Sequence, residues 1–556
     1  MTNNVTPSGE LVLKKLGINP HNLRADFLTR EQRLQYRAVV NWITDYKPKS
    51  DATNLEKVRG YLEAFHHLGK VEDWMRNSKI ISIRLDTPTK EELHHQLSLW
   101  GYYKELIELY KQIVGKLSSN LDAVFLANLG NAYDALGNYT QAIDYYQHGL
   151  TIFRKIADRK GEGRALGNLG GSYRSLGKYL AAIDYHQQSL TIAREIGNRE
   201  GEGNALVNLG NAYNSLGNYL QAIDYYQQGL TIFQEIADRK GEGNALGNLG
   251  NACDGLGKYL AAIDYHQQSL TIAREIGNRE GEEIALGNLG NAYNSLGNYL
   301  QAIDYHQQSL TIAREIGDRN GEGRALGNLG VAYDSLGNYP QAIYFHQQHL
   351  TIARELGNRS GEGNALGNLG NAHRSLGDYP QAIDYLQQSL TIIQEICDRN
   401  GEGIILGNLG IAYGLLGDYS QAIHYLQQSL TIAREIGDRN CEGKALTNLG
   451  NTYLSLGDYS PAIHYLQQSL TIAREIGDRN GEGTALLNLG VAYYSLGKYP
   501  QSINYYQHSL TIVREIGQRS AQERTLLNLC KAFSALGDYN KAIEYNKQHL
   551  ALVQST

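Results

Sequence analysis

Residues 203–242 read GNALVNLGNAYNSLGNYLQAIDYYQQGLTIFQEIADRKGE, and the apolar letters fall into two helical stripes. Leu206, Leu209, Tyr213 and Leu216 recur at helical spacing, with Ala205 and Ala212 on the same face. Gly217 follows and tolerates the left-handed backbone that ends a helix. Asn218, with Gln221 three residues on, is the pattern of an N-cap and its capping-box partner. Tyr219, Ala222, Ile223, Tyr226, Leu230 and Phe233 make the stripe of a second helix. In most copies a glycine closes that helix, as at Gly197 and Gly277, and an Asp or Asn then caps the next first helix. Pro340, Pro380, Pro461 and Pro500 all fall in the first turn of a second helix, where a missing N–H does little harm.

The unit recurs without insertion or deletion. Asn-Leu-Gly stands at 128, 168, 208, 248, 288, 328, 368, 408, 448 and 488, and Asn-Leu-Cys at 528, always 40 residues apart. One hairpin cannot stand alone. Ordering 40 backbones costs on the order of 40–80 kcal/mol. About six buried apolar side chains at roughly 1.5–3 kcal/mol each return far less. Each hairpin must therefore bury a second face on its neighbour, which predicts a stacked array. Residues 138–160 resemble 218–240, and 178–200 resemble 258–280, so the early copies also repeat in pairs. Recent duplication explains such sameness, and identity between copies says little about need at any one position.

Leu206-x2-Leu209-Gly210-x2-Tyr213 followed by Ala222-x3-Tyr226 resembles the tetratricopeptide signature, with Leu in place of its usual Trp. Gln234 stands where that family closes the unit with proline, so the second helix can run about one turn further, in keeping with the longer period. The wording is similar to the long-period repeats of Pins-type G-protein-signalling modulators, of kinesin light chains and of the many-repeat arrays of cyanobacteria. The resemblance covers residues 123–556. It implies an all-α, right-handed α-solenoid of antiparallel helix hairpins that holds an extended peptide or partner protein in its concave groove.

Composition agrees with a non-catalytic binding module. The chain has 556 residues with a net charge of -6, which lacks the basic footprint of a nucleic-acid binder. No run approaches a membrane span, and no signal peptide is evident at the N-terminus. Cys253, Cys397, Cys441 and Cys530 form no CxxC pair, so free thiols and a cytoplasmic setting are expected. Gly257-Lys258 resembles the end of a phosphate loop, but Ala252 occupies the required glycine and Tyr259 follows the lysine. No HExxH, GxSxG or zinc spacing occurs, and no cofactor is expected.

The N-terminal part is less regular. Residues 1–52 read as a loose stretch over 1–20 and an amphipathic helix over 29–46. Residues 53–84 and 87–122 read as two degenerate hairpins, divided at Asp86-Thr87-Pro88. They serve either as a cap on the array or as the remnant of a junction. In cyanobacterial arrays similar segments follow a nucleotide-binding signalling domain.

Candidate ligand contacts lie on the first helix opposite its apolar stripe. Asn168, Asn208, Asn248, Asn288, Asn328, Asn368, Asn408 and Asn448 share one register position. A row of amides offers donors and acceptors to a peptide main chain. The alternative is a common surface residue copied by duplication. Variable positions beside the row are polar early on, with Arg174, Arg324 and Arg374 among them. From Ile404 onward they turn apolar: Ile404, Ile411, Leu415, Leu454, Leu487, Val491, Tyr494 and Leu527. These residues either anchor a ligand's apolar side chains or pack between neighbouring first helices. The inter-repeat arginines from Arg159 to Arg519 are each followed by Glu or Gln three residues on, and make either a local ion pair or an anion-binding ridge. His186, His266, His306 and His346 occupy the motif's buried-aromatic position and read as packing residues more readily than as a metal or proton site. A second functional reading is the sensor or autoinhibitory arm of a signalling system whose effector lies on another chain.

Overall fold

The computed structural model describes residues 5–27, 29–49 and 51–554. From Ser119 onward the chain is an unbroken series of antiparallel helix pairs. In the decisive stretch the first helix is Arg199–Ser215 and the second is Tyr219–Glu235. Leu206 and Leu209 are fully buried in a cluster with Leu190 of the preceding repeat and Ile232 and Tyr225 of their own second helix, while Tyr226 and Phe233 face Leu246 and Leu249 of the next repeat, and Ala205, Ala212 and Ala222 let the helices approach closely. Gly217 turns the chain with φ +75.

The first helix starts at the inter-repeat arginine. Its cap is the preceding Asp or Asn, as expected: Asn198 Oδ1 accepts from Gly201 N at 3.2 Å, and Asp238 Oδ1 from Gly241 N at 3.0 Å. The expected capping box at Asn218 does not form. No side-chain cap bond is made there, and the Asn218 amide instead donates to Gln221 Oε1 at 3.0 Å. A neutral Gln presents one carbonyl oxygen, and the side-chain NH2 of Asn218 takes it.

The glycine preceding the Asn/Asp cap has three replacements, Ala157, Ala237 and Cys397, all held in the left-handed region at φ +56, +55 and +57. The glycine of Asn-Leu-Gly answers to a different constraint. A Cβ at Gly250 would collide with the ring of His266, which lies flat on the helix backbone at that point.

Successive first helices touch one another along the array more closely than successive second helices do. The array therefore bends toward its first helices, which form the inner wall. The bend is tight enough to bring one turn of the coil onto the next. Arg359 N donates to Leu136 O at 3.3 Å and Arg439 N to Leu216 O at 3.3 Å. Both pairs are 223 positions apart (359 less 136, 439 less 216). Between them Asn400 lies on Gly177, and further along Gln518 Nε2 donates to Tyr259 OH at 3.3 Å. Two turns of solenoid thus share a seam.

The N-terminal region begins the first turn. Residues 1–20 were expected to be loose, yet Gly9–Leu16 is a helix with Val12, Leu13 and Leu16 buried; residues 1–4 lie outside the described residues. Three apolar residues on one face suffice to dock this short helix on Arg30–Thr44, whose Thr29 and Gln32 make a complete capping box. The helices Arg59–Lys70 and Trp74–Ile81 form one hairpin and Leu93–Leu99 and Tyr103–Ile113 the next. Trp100, at the bend of the latter, packs on Gly317 in the seam, and Asn320 Nδ2 donates to Tyr103 OH.

Candidate functional site

The inner wall is built from the first helices. Leu206 and Leu209 turn inward to the hairpin core, which places Asn208 between them on the opposite face. Asn168, Asn208, Asn248, Asn288, Asn328, Asn368, Asn408 and Asn448 are all half-buried. Among the described residues none of these side-chain amides has a hydrogen-bond partner in the protein. The residue before each is commonly glycine (Gly167, Gly247, Gly287, Gly327), and the missing side chain leaves clefts between adjacent first helices.

Three such clefts follow one another. The first, of about 360 Å³, is lined by Asn128, Asn168, Asn208 and Arg164. The second, of about 380 Å³, takes in Asn208, Asn248, Asn288 and Asn244. The third, of about 440 Å³, is lined by Asn288, Asn328, Asn368, Arg324 and His349. Successive clefts share an asparagine, so the amides run continuously from one to the next.

The arginines named from sequence differ in their surroundings. Arg324 reaches Glu283 Oε2 at 3.2 Å and Asp318 Oδ2 at 3.5 Å, so its charge is already opposed. Glu283 was not singled out by sequence, although it stands where most copies carry Gly. It is buried, accepts from Ser309 Oγ at 3.2 Å, and burial pushes its carboxyl up despite Arg324. Arg374 is half-buried, and desolvation lowers its pKa against the opposing pull of Asp334. Arg174 sits at the equivalent place five repeats earlier, with Asp134 beside it.

The apolar candidates split. Ile404 is 45% exposed and Leu415 54%, three helical turns apart on the inner wall, with Ile411 half-buried between them. Leu487 is packed away, and Leu454, Val491 and Tyr494 lie against the adjacent core.

The inter-repeat arginines make more than a local pair. Arg199 Nη1 is 2.6 Å from Glu202 Oε2, its Nη2 reaches Glu235 of the next repeat, and Arg194 Nε bonds the other oxygen of Glu202 at 2.8 Å. Burial works against the Glu202 carboxylate, yet Arg194 and Arg199 hold it below the usual range. With both forks occupied, these arginines leave little capacity for an external anion. They form an ion-pair ladder whose exposed links are screened by solvent and contribute little to stability.

His186, His266, His306 and His346 are buried on the glycines of Asn-Leu-Gly, with Nδ1 unpartnered. Burial pushes the first three down to about 4. Among the described residues no group of His, Cys, Asp and Glu could hold a metal ion, and no helix is long and apolar enough to cross a membrane.

A family model described as tetratricopeptide repeat matches residues 102–199, 201–275, 282–355, 361–435, 425–475 and 481–555. No curated relative matches the sequence. Among solved structures, BtubC (BKLC) from P. vanneervenii is 19% identical over 39% of this chain and 91% of its own, with a TM-score of 0.36. A Rap protein complexed with competence and sporulation factor is 15% identical over 65% of this chain and 98% of its own, with a TM-score of 0.45. The apo quorum sensor NprR from B. thuringiensis is 14% identical over 65% and 99%, with a TM-score of 0.41.

Proposed function

We propose that this chain, which belongs to the tetratricopeptide repeat family, holds an extended peptide along the asparagine row of its inner wall. As a member of that family it is a scaffold for protein interaction. The observation that supports the finer reading is the row of half-buried amides with no bonding partner in the protein. An amide that is half-desolvated and unpaired gains most from a ligand that supplies both a donor and an acceptor. Packed neighbouring helices lie about 8–10 Å apart. An extended strand advances roughly 3.3 Å per residue. One asparagine can therefore meet the peptide main chain at about every third residue, whatever the peptide's side chains. Sequence preference then falls to the residues beside the row: Arg174 and Arg374 for acidic groups, and Ile404, Ile411 and Leu415 for an apolar anchor.

Phage-displayed random linear peptides selected on the wild-type chain supply the ligand for a test. Calorimetric titration of one such peptide against Asn288→Ala/Asn328→Ala/Asn368→Ala should show affinity lower by at least about tenfold, as expected for two or more lost hydrogen bonds. Equal affinity with unchanged helicity would remove the asparagine row from the site.

A further inference from the structure

The coil has two edges. One is made by the turns inside each repeat, the other by the turns between repeats. At the seam the first edge of an early repeat meets the second edge of a late one: Leu216 accepts from Arg439, and Leu256 lies against Gly477. Leu176 and Leu256 are consequently 5% and 2% exposed. Their equivalents Leu336, Leu376, Leu416, Leu456, Leu496 and Leu536 are 40% to 51% exposed, because no further turn covers them. The second edge shows the inverse. Ile316, Leu356 and Ile476 are covered, while Ile156, Ile196, Ile236 and Ile276 are 37% to 41% exposed. One molecule therefore displays, at different places, both halves of an interface it also forms with itself.

The charges on the two open edges complement each other. Where the covered edge carries Asn400, Asn440 and Asn480, the open edge carries Lys160, Glu200, Lys240 and Glu280, all exposed. In the seam, Asn440 lies on Gly217, next to residue 218. On the open first edge the residues equivalent to 218 are Asn338, Asp378, Asp418, Asp458, Lys498 and Asp538. In one register Lys160 meets Asp458, Glu200 meets Lys498 and Lys240 meets Asp538, so all three pairs are opposite in sign. A shift of one repeat either way puts Glu200 on an aspartate and Lys498 on a lysine. Asp538 also has Lys541 at 3.6 Å, which leaves the other two pairs as the main register marks.

We propose that the open first edge docks the open second edge of a second copy of this chain, continuing the seam from one molecule to the next. The contact is heterologous, so each added copy presents a fresh edge and assembly is open-ended. It goes beyond peptide binding, which needs one copy only.

Sedimentation velocity of the full chain tests this. The wild type should associate with rising concentration up to about 100 µM at about 50 mM salt, and less at high salt, where exposed charges are screened. Glu200→Lys and Lys498→Glu each place one like-charged pair in the register and should weaken association several-fold. Both residues are exposed, so circular dichroism should be unchanged. Combined in one chain, the two substitutions restore an opposite pair and should restore association. A wild type that stays monomeric over that range overturns the proposal. So does association that neither single variant weakens, or a double variant no tighter than the singles.

Discussion

The backbone N–H of Arg359 donates to the carbonyl of Leu136 across 3.3 Å, and this bond seats the second turn of the coil on the first. A cleft of about 310 Å³ lies beside it, lined by Tyr139, Asn320, Asn358 and Ser360. Because turn rests on turn over this stretch, the proposed peptide would reach the asparagine row along the axis rather than from the side.

The seam is also where the fold is most easily opened without unfolding it. Leu216→Asp/Leu256→Asp places two carboxylates beneath the second turn. Leaving a carboxylate unpaired and buried costs at least about 2–3 kcal/mol, and lifting the turn away relieves this. The expected outcome is unchanged helicity with a larger radius of gyration in X-ray scattering. Unchanged dimensions would mean that the seam tolerates the charge.

Ala237 sits at φ +55 where most copies have glycine. A left-handed non-glycine residue costs about 1–2 kcal/mol. Ala237→Gly should therefore stabilise its repeat, less the entropy glycine adds to the unfolded chain, for a net gain on the order of 1 kcal/mol. Hydrogen exchange of the helix Tyr219–Glu235 would report it, with slower exchange expected.

The hairpins were legible because their constraints repeat every 40 residues: Leu206, Leu209 and Tyr226 state the core and Asn198 states the cap. The seam was not legible from that period. Its partners are 223 positions apart, which is no multiple of the repeat, so self-comparison of the sequence does not reveal it. A trace was present all the same, in the change from Lys160, Glu200 and Lys240 to Asn400, Asn440 and Asn480 at one register position. At the candidate site the asparagine row could be placed by register alone. The pairing of Arg324 could not, because Glu283 is a departure at a position where most copies carry Gly.

The buried histidines should make the array acid-sensitive. His186, His266 and His306 are held neutral by burial, down to about 4 from 6.5. The unfolded chain binds these protons first, so stability is full above about pH 6.5 and falls as pH drops toward 4. Each site loses on the order of 3 kcal/mol across that window. Leu386, Leu426 and Leu466 occupy the same position in other copies and are fully buried. Replacing the three histidines by leucine should flatten the acid limb of the melting temperature measured between about pH 4 and 7. An unchanged limb would place the sensitivity elsewhere.

Asp254 should act in the opposite sense. It ends the first helix Arg239–Gly255, where the unpaired carbonyls disfavour negative charge. Its Oδ2 accepts from Ser295 at 3.2 Å, but Oδ1 is buried without a partner, and burial raises the carboxyl to about 6 from 3.8. Here the native state holds its proton longer than the unfolded chain does, so stability falls as pH rises through the interval from 3.8 to about 6. Neighbouring copies carry the neutral Asn214 and Asn294 at this position. Asp254→Asn should therefore stabilise the array at pH 8 by up to about 3 kcal/mol, with the gain shrinking on acidification and gone near pH 4. Denaturant melts of both chains across that range decide the matter. A gain independent of pH would point to the altered hydrogen bonding with Ser295, and no gain at pH 8 would show that water reaches the carboxylate.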